Sequence, residues 1–209
     1  MLLYTRNVSN YCFKTEWALY ELNIPFDREP NQGDRDLLGM GKLAKATPNL
    51  VTIPTLVDDN GFTVTESSVI IQYLVDTRKI NSSFFPKDPD ARARVLQWDR
   101  FGDFEVAKAL GAFYYNSPDY LQGAAPNASE VELAAKEVPI IEKKLNAVLA
   151  KQRYITSDKD FTYADVTLAA NVFFLQWFNQ KMTSPGVVRW LTECTSRPAF
   201  TKRMALISP

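Results

Sequence analysis

The chain has 209 residues, 46% of them hydrophobic and 23% charged, and its 24 lysines and arginines balance its 24 aspartates and glutamates. A formally neutral chain argues against nucleic acid or an anionic membrane as the main partner, because both select a basic face. Histidine is absent, which argues against serine-hydrolase triads, Cys-His pairs and histidine-built metal sites, since all need an imidazole.

Residues 2–5 predict a short strand, and 6–10 form a polar turn. A helix pattern follows from about Tyr11 to Leu22, with Phe13, Trp17 and Tyr20 along one stripe. Residues 26–29 read as a second strand, and the intervening helix implies that the two strands are parallel. The stretch 30–47 is polar, with a short helix expected near 35–43. Strands at 55–57 and 62–65 flank Asp58-Asp59-Asn60-Gly61, whose Asn-Gly is a strong hairpin signal. A further helix carries Val69, Ile70, Tyr73 and Leu74 on one face. The order βαβ, connector, ββα predicts an α+β thioredoxin-like domain over residues 1–77.

Residues 78–89 read as a linker, with Asn81-Ser82-Ser83, Pro86 and Pro89. Residues 90–209 predict an all-α helical bundle domain. A helix over 91–115 carries Trp98, Phe101, Val106, Leu110 and Phe113. Ser129 with Glu132 suggests a capping box for a helix through Ala134, Val138, Ile141, Leu145 and Val148. Pro139 is expected to kink or interrupt that helix. Another helix should start at Thr162, and a last one near Pro198, a favourable first-turn position. The apolar run after Met1 is too short for a signal peptide, and no stretch reaches the ~18 apolar residues of a membrane span. Two cysteines, Cys12 and Cys194, show no metal-type spacing and predict no disulfide framework. The expected location is therefore the cytosol, without a membrane partner or a bound metal.

Three short segments carry the chemistry. Ser9-Asn10-Tyr11-Cys12 lies at a strand-to-helix turn, where backbone N–H groups and a hydroxyl donor favour a thiolate. Ile53-Pro54 enters a strand, and if its peptide bond is cis the Ile53 backbone can pair with an extended ligand as a strand does. Glu66-Ser67 precedes a helix, where the serine and the helix terminus suit a carboxylate and the glutamate suits an ammonium. One amino-acid end group bears both charges. Taken singly, Ser9 reads more readily as a plain helix cap, and Ser67 reads equally well as one.

Together these segments resemble the glutathione transferase family, and the resemblance covers the whole chain. Residues 64–74 (Val-Thr-Glu-Ser-Ser-Val-Ile-Ile-Gln-Tyr-Leu) are similar to the family's signature for the γ-glutamyl end of glutathione, which implies roles for Glu66 and Ser67. Ile53 and Pro54 correspond to its cis-proline element, which pairs with the cysteinyl backbone. Residues 9–19 resemble the catalytic turn and first helix of the serine-type and cysteine-type classes. Phe161-Thr162-Tyr163-Ala164-Asp165-Val166 resembles the family's helix-capping folding motif, with Thr162 as cap, Asp165 reaching back and Phe161 stapled onto Val166. Arg197-Pro198-Ala199-Phe200 resembles its C-terminal signature.

The resemblance implies glutathione as co-substrate, a homodimer, and a small hydrophobic electrophile as second substrate. Ser9 stands where cysteine-type relatives keep their reactive cysteine, which puts Cys12 at the second, normally buried position. Thiol–disulfide exchange at Ser9 is thereby excluded, whereas activation of a bound thiol stays open. Asn10 and Tyr4 are the alternative activators. The segment Pro48-Asn49-Leu50-Val51-Thr52-Ile53-Pro54 lacks the glycine common in the family, and Lys42 or Lys45 is left to meet the glycyl carboxylate. The electrophile pocket is expected between the domains, with Tyr11, Trp98, Phe101, Phe104, Phe113, Tyr114 and Tyr115 as candidates, and Asp103 reaching across a dimer interface. Isomerisation, dehalogenation and ether cleavage use the same thiolate. The rival class is a non-catalytic docking module, against which an intact amino-acid end-group site weighs.

Overall fold

The computed structural model describes residues 1–30, 43, 45, 52–80 and 82–207. They fall into two compact units, Met1–Asn81 with Arg197–Pro209, and Ser82–Ser196. These bounds differ from the expected ones at both ends. The last helix, which periodicity grouped with 90–209, returns to the first unit, and the second unit begins inside the expected linker.

In the first unit β1 (Leu2–Thr5), α1 (Asn10–Glu21), β2 (Asp27–Pro30), β3 (Thr55–Val57), β4 (Thr63–Thr65) and α2 (Ser67–Thr77) follow in the anticipated order. The four strands form one mixed sheet of order β2-β1-β3-β4, with β1 and β2 parallel and the other pairs antiparallel. Pro30 closes β2 without breaking the ladder because β2 is an edge strand, where a missing N–H is tolerated. The β3–β4 hairpin turns through Gly61 at φ 81, with the Gly61 N–H donating to the Asp58 carbonyl at 2.9 Å. Of the expected helix near 35–43 only Leu43, helical and buried, is among the described residues, and Lys42 lies outside them.

The expected apolar stripe on α1 understates its burial. Every side chain from Cys12 to Leu19 is buried, Lys14, Thr15 and Glu16 included. The cause is that α2 and α9 (Pro198–Met204) both pack on α1. Phe200 of α9 meets Trp17 at 5.0 Å and Phe13 at 5.4 Å between ring centroids, both edge-on, and Phe13 and Trp17 meet at 6.0 Å. Aromatic pairs in this geometry add about 0.5–1.5 kcal/mol each beyond the area they bury.

The second unit contains α3 (Pro89–Phe101), a π-helical segment (Gly102–Val106), α4 (Ala107–Tyr115), α5 (Pro118–Leu121), α6 (Ala128–Leu149), α7 (Tyr163–Leu175), a 3-10 turn (Gln176–Phe178) and α8 (Pro185–Thr195). The single helix expected over 91–115 is thus broken by a π segment. The Gly102 carbonyl at this point accepts from Asn171 Nδ2 at 3.1 Å, and Asp99 accepts from the Thr167 hydroxyl at 2.7 Å. Both donors belong to α7, so tertiary bonds that no local pattern displays hold the altered turn. The second half of the expected linker is packed rather than free. Phe84 and Phe85 are buried, and the Phe84 carbonyl accepts from the Tyr163 N–H at 2.9 Å.

Two local expectations need correction. The cap of α6 is Asn127, whose Oδ1 accepts from Glu130 N at 3.3 Å, and Ser129 instead donates to Asn127 Oδ1 at 2.8 Å from inside the helix. Asparagine caps as well as serine does, and here it stands one turn ahead of Glu130. Nor does Pro139 interrupt α6, which runs unbroken for 22 residues. Pro139 and Ala135, whose carbonyl loses its helical donor, are both exposed, so water can serve that carbonyl.

Glu142 of α6 accepts from the backbone N–H groups of Thr183 and Ser184 at the start of α8. Burial works to raise the Glu142 carboxyl, but these donors outweigh it and hold the carboxyl below its ordinary value. A depressed carboxylate stabilises the fold above its unfolded pKa and stops doing so as pH falls through its native value. Glu142→Gln is therefore expected to lose about 1 kcal/mol at pH 7, with the difference from wild type shrinking as pH falls through the depressed native value. Urea midpoints across that range check both parts. Close by, a Cβ on Gly186 would stand 2.8 Å from the Ala150 nitrogen and from the Leu149 carbonyl carbon. Gly186→Ala should consequently force α8 off α6 at a cost of about 1–3 kcal/mol, read as a lowered thermal midpoint. Among the described residues no helix is long and apolar enough to cross a membrane.

Candidate functional site

Sheet register gathers the three segments singled out by sequence. Tyr4 pairs with Thr55, and Thr55 pairs with Thr65. One residue further along each chain direction stand Thr5, Pro54 and Glu66, side by side at one end of the sheet. The turn to Ser9 leaves from Thr5, the Ile53–Pro54 bond, which is cis, enters at Pro54, and α2 departs from Glu66. Three fragments separated by up to 58 positions (Ser9 to Ser67) thus share one sheet end.

Ser9 caps α1 in an extended conformation (φ −156, ψ 123), and its Oγ accepts from Cys12 N at 3.4 Å. The hydroxyl is half-buried, its proton is not used by that bond, and it stands at the positive end of the α1 dipole. Asn10 opens the helix, also half-buried, and Tyr11 is exposed. Tyr4 lies within β1, whose neighbours Leu3 and Thr5 are both buried. The Thr5 hydroxyl bonds Glu16 of α1, so by strand alternation Tyr4 points to the sheet face opposite α1. Cys12 is fully buried. Burial pushes its thiol up, against hydrogen bonds from Ser9, Thr5 and the Arg6 backbone, so it stays protonated at neutral pH.

Glu66 has φ 67 and ψ 117, a conformation rare for a residue with a side chain. Such strain costs about 1–3 kcal/mol and concentrates at ligand clamps and active sites. Glu66 is exposed while Ser67, the first residue of α2, is buried at 4%. Behind them Lys14 of α1 donates to the Ser68 hydroxyl at 3.1 Å, tying the two helices together. Lys45 is exposed.

A buried ionic cluster underlies the Ser9 turn, and the sequence reading missed it. Glu16 Oε2 receives Arg28 Nε at 2.9 Å and stands 3.2 Å from Arg203 Nε, close enough for an ion pair though not aligned as a hydrogen bond. Arg203 Nη2 donates to the carbonyls of Arg6 and Asn7 at 3.1 and 3.0 Å. Its guanidinium also sits 4.9 Å from the Phe13 ring centroid. The one available signal was a glutamate, Glu16, beside Trp17 of the apolar stripe.

In the second unit the aromatic candidates divide. Trp98 and Phe101 meet edge-on at 5.5 Å, both half-buried, with Lys144 Nζ 5.1 Å from the Phe101 ring. Phe104, 65% exposed, lies on the π segment with Arg100 5.5 Å from its ring, and Arg100 also pairs with Asp103 at 2.6 Å. Tyr114 belongs to a separate cluster with Tyr115 and Tyr120, whose centroids lie 5.0 to 5.4 Å apart. Tyr120 was not anticipated, since it joins from α5. Among the described residues no group of three or more His, Cys, Asp or Glu is arranged to hold a metal.

The family model for the glutathione S-transferase N-terminal domain matches residues 8–77, the segment that contains all three fragments. Glutathione S-transferase U24 from Arabidopsis thaliana is 30% identical over 196 residues, covering 93% of this chain and 80% of that protein. Elongation factor 1-gamma from Danio rerio is 28% identical over 154 residues, where this chain spans only 32% of the factor. Among solved structures, a glutathione transferase from Populus trichocarpa superposes with a TM-score of 0.85 at 18% identity, covering 99% of this chain and 98% of that one. The fold is accordingly that of a glutathione transferase: a thioredoxin-like first domain and a helical second region. The chain belongs to the glutathione S-transferase family.

Proposed function

We propose that the chain binds glutathione at the end of the sheet and activates its thiol for attack on a hydrophobic electrophile. The observation that carries this reading is the register that aligns Thr5, Pro54 and Glu66. A tripeptide laid across that edge would present its γ-glutamyl end to Glu66 and the α2 terminus, its cysteinyl backbone to Ile53, and its thiol to Ser9. The strained backbone of Glu66 supports the same reading, because a scaffold gains nothing from it. Ser9 is preferred as activator over Asn10, and over Tyr4, which points to the face opposite α1. Lys42 is the proposed partner of the glycyl carboxylate. Tyr11, Trp98, Phe101, Phe104 and Tyr114 are the proposed electrophile contacts. A cytosolic homodimer completes the proposal, and the same thiolate serves isomerisation, dehalogenation or ether cleavage.

The likeness to elongation factor 1-gamma favours a second reading, a docking module without catalysis. Ultraviolet titration of bound glutathione separates the two, because the thiolate absorbs where the thiol does not. A bound-thiol pKa depressed from about 8.5, and restored in Ser9→Ala, is the expected result. A depressed value unmoved by the substitution transfers the role to Asn10 or the helix terminus. Absence of binding overturns the enzymatic reading and leaves the docking module.

A further inference from the structure

We infer that Arg203, nearly two hundred residues away in sequence, is a positioning residue for the Ser9 turn. The inference rests on the proposed role of Ser9 but stands on separate geometry. Arg203 and Glu16 are both fully buried, at 0% exposure. One terminal nitrogen of the guanidinium accepts no choice of direction: it donates to two consecutive carbonyls, those of Arg6 and Asn7. The Asn7 side chain is held in turn by Arg28 Nη2 at 2.9 Å, and Arg28 is anchored on Glu16. Thr5 donates to the same glutamate. Residues 5, 6 and 7 are therefore each bound to one buried cluster, and Ser9 follows two positions on.

The far side of the turn is bound as well. Phe13 N donates to the Ser9 carbonyl at 2.8 Å, and the Phe13 ring lies under the Arg203 guanidinium. A buried ion pair contributes little net stability compared with an apolar pair of similar volume, and what it confers is a defined geometry. A planar guanidinium does this better than an ammonium, because its donors point in set directions. The cluster thus serves the direction of the Ser9 hydroxyl, whereas the glutathione backbone would be held by Ile53, Glu66 and Ser67, outside the cluster.

Arg203→Lys keeps the charge and removes the fork. The expected result is a folded protein in which the amides of Cys12 and Phe13 exchange with deuterium at least tenfold faster, while those of α2 are unchanged. Affinity for S-methylglutathione should change less than about twofold. The pKa of the bound glutathione thiol should rise by at least half of the change seen in Ser9→Ala, and the double variant should match Ser9→Ala alone. If Arg203→Lys fails to fold, the charge-free pair Glu16→Gln with Arg203→Gln is measured in the same way. Exchange that is unchanged in a folded variant, or accelerated equally throughout the first unit, overturns the inference. So does a thiol shift that adds to that of Ser9→Ala. Should wild type not bind glutathione, the proposed function falls while the exchange comparison still decides the role of Arg203.

Discussion

Asp165→Ala is expected to destabilise the protein by about 3–5 kcal/mol, a large share of the roughly 5–15 kcal/mol available to a folded domain. Asp165 is fully buried and its carboxylate accepts four hydrogen bonds. Oδ1 takes the Ile155 N–H and the Trp190 indole N–H, both at 2.9 Å. Oδ2 takes the Thr162 N–H at 2.9 Å and the Thr162 hydroxyl at 3.0 Å. Burial pushes the carboxyl up, and these donors pull it down. Alanine would leave three buried N–H groups unpaired, each worth about 1–3 kcal/mol of desolvation. One side chain here joins the start of α7, the loop before it and α8. Asp165→Asn keeps an oxygen for two of the donors and should lose about half as much. Denaturant melts followed by tryptophan fluorescence measure both. An asparagine variant as stable as wild type would show that the charge contributes nothing.

Ser9→Ala is expected to lower the conjugation rate at pH 7 by about 8–25-fold with little change in glutathione affinity. That loss follows from a thiol pKa rise of one to two units at about 1.4 kcal/mol each, within reach of one charge-assisted hydrogen bond. The sign of the pH dependence is definite. The variant lacks thiolate below the free-thiol pKa of about 8.5 and regains it above, so its deficit should close as pH rises. The more basic thiolate is also the better nucleophile, which helps the variant at high pH. Rates from pH 6 to 10 with a saturating electrophile test this. A deficit that is the same at every pH would mean that Ser9 orients the substrate rather than ionising it.

Much of the first domain was legible because its signals are local. The Asn-Gly hairpin and the cap-to-helix step at Ser9 each lie within a few residues. The candidate site was legible for the same reason, as three short fragments whose chemistry suits one tripeptide. What joins them is register, and no fragment displays register by itself. The π segment stayed hidden because its supporting donors, Thr167 and Asn171, lie about 69 residues downstream of the groups they bind. Glu16 and Arg203 stayed hidden for the same reason at greater range. The helix pattern of α1 suggested one apolar stripe, and only the return of α9 explains why its polar flank is buried too.

That return has a consequence for synthesis on the ribosome. Phe13 and Trp17 emerge early, but the ring that packs between them, Phe200, is translated only after the whole second unit. Throughout that interval the nascent first unit carries an unfilled aromatic slot and a Glu16–Arg28 pair still lacking Arg203. At about 5–20 residues per second the wait lasts roughly ten seconds or more. The first unit must therefore complete its folding after translation of the second, and a fragment cut near residue 81 should be captured by chaperones rather than stand alone.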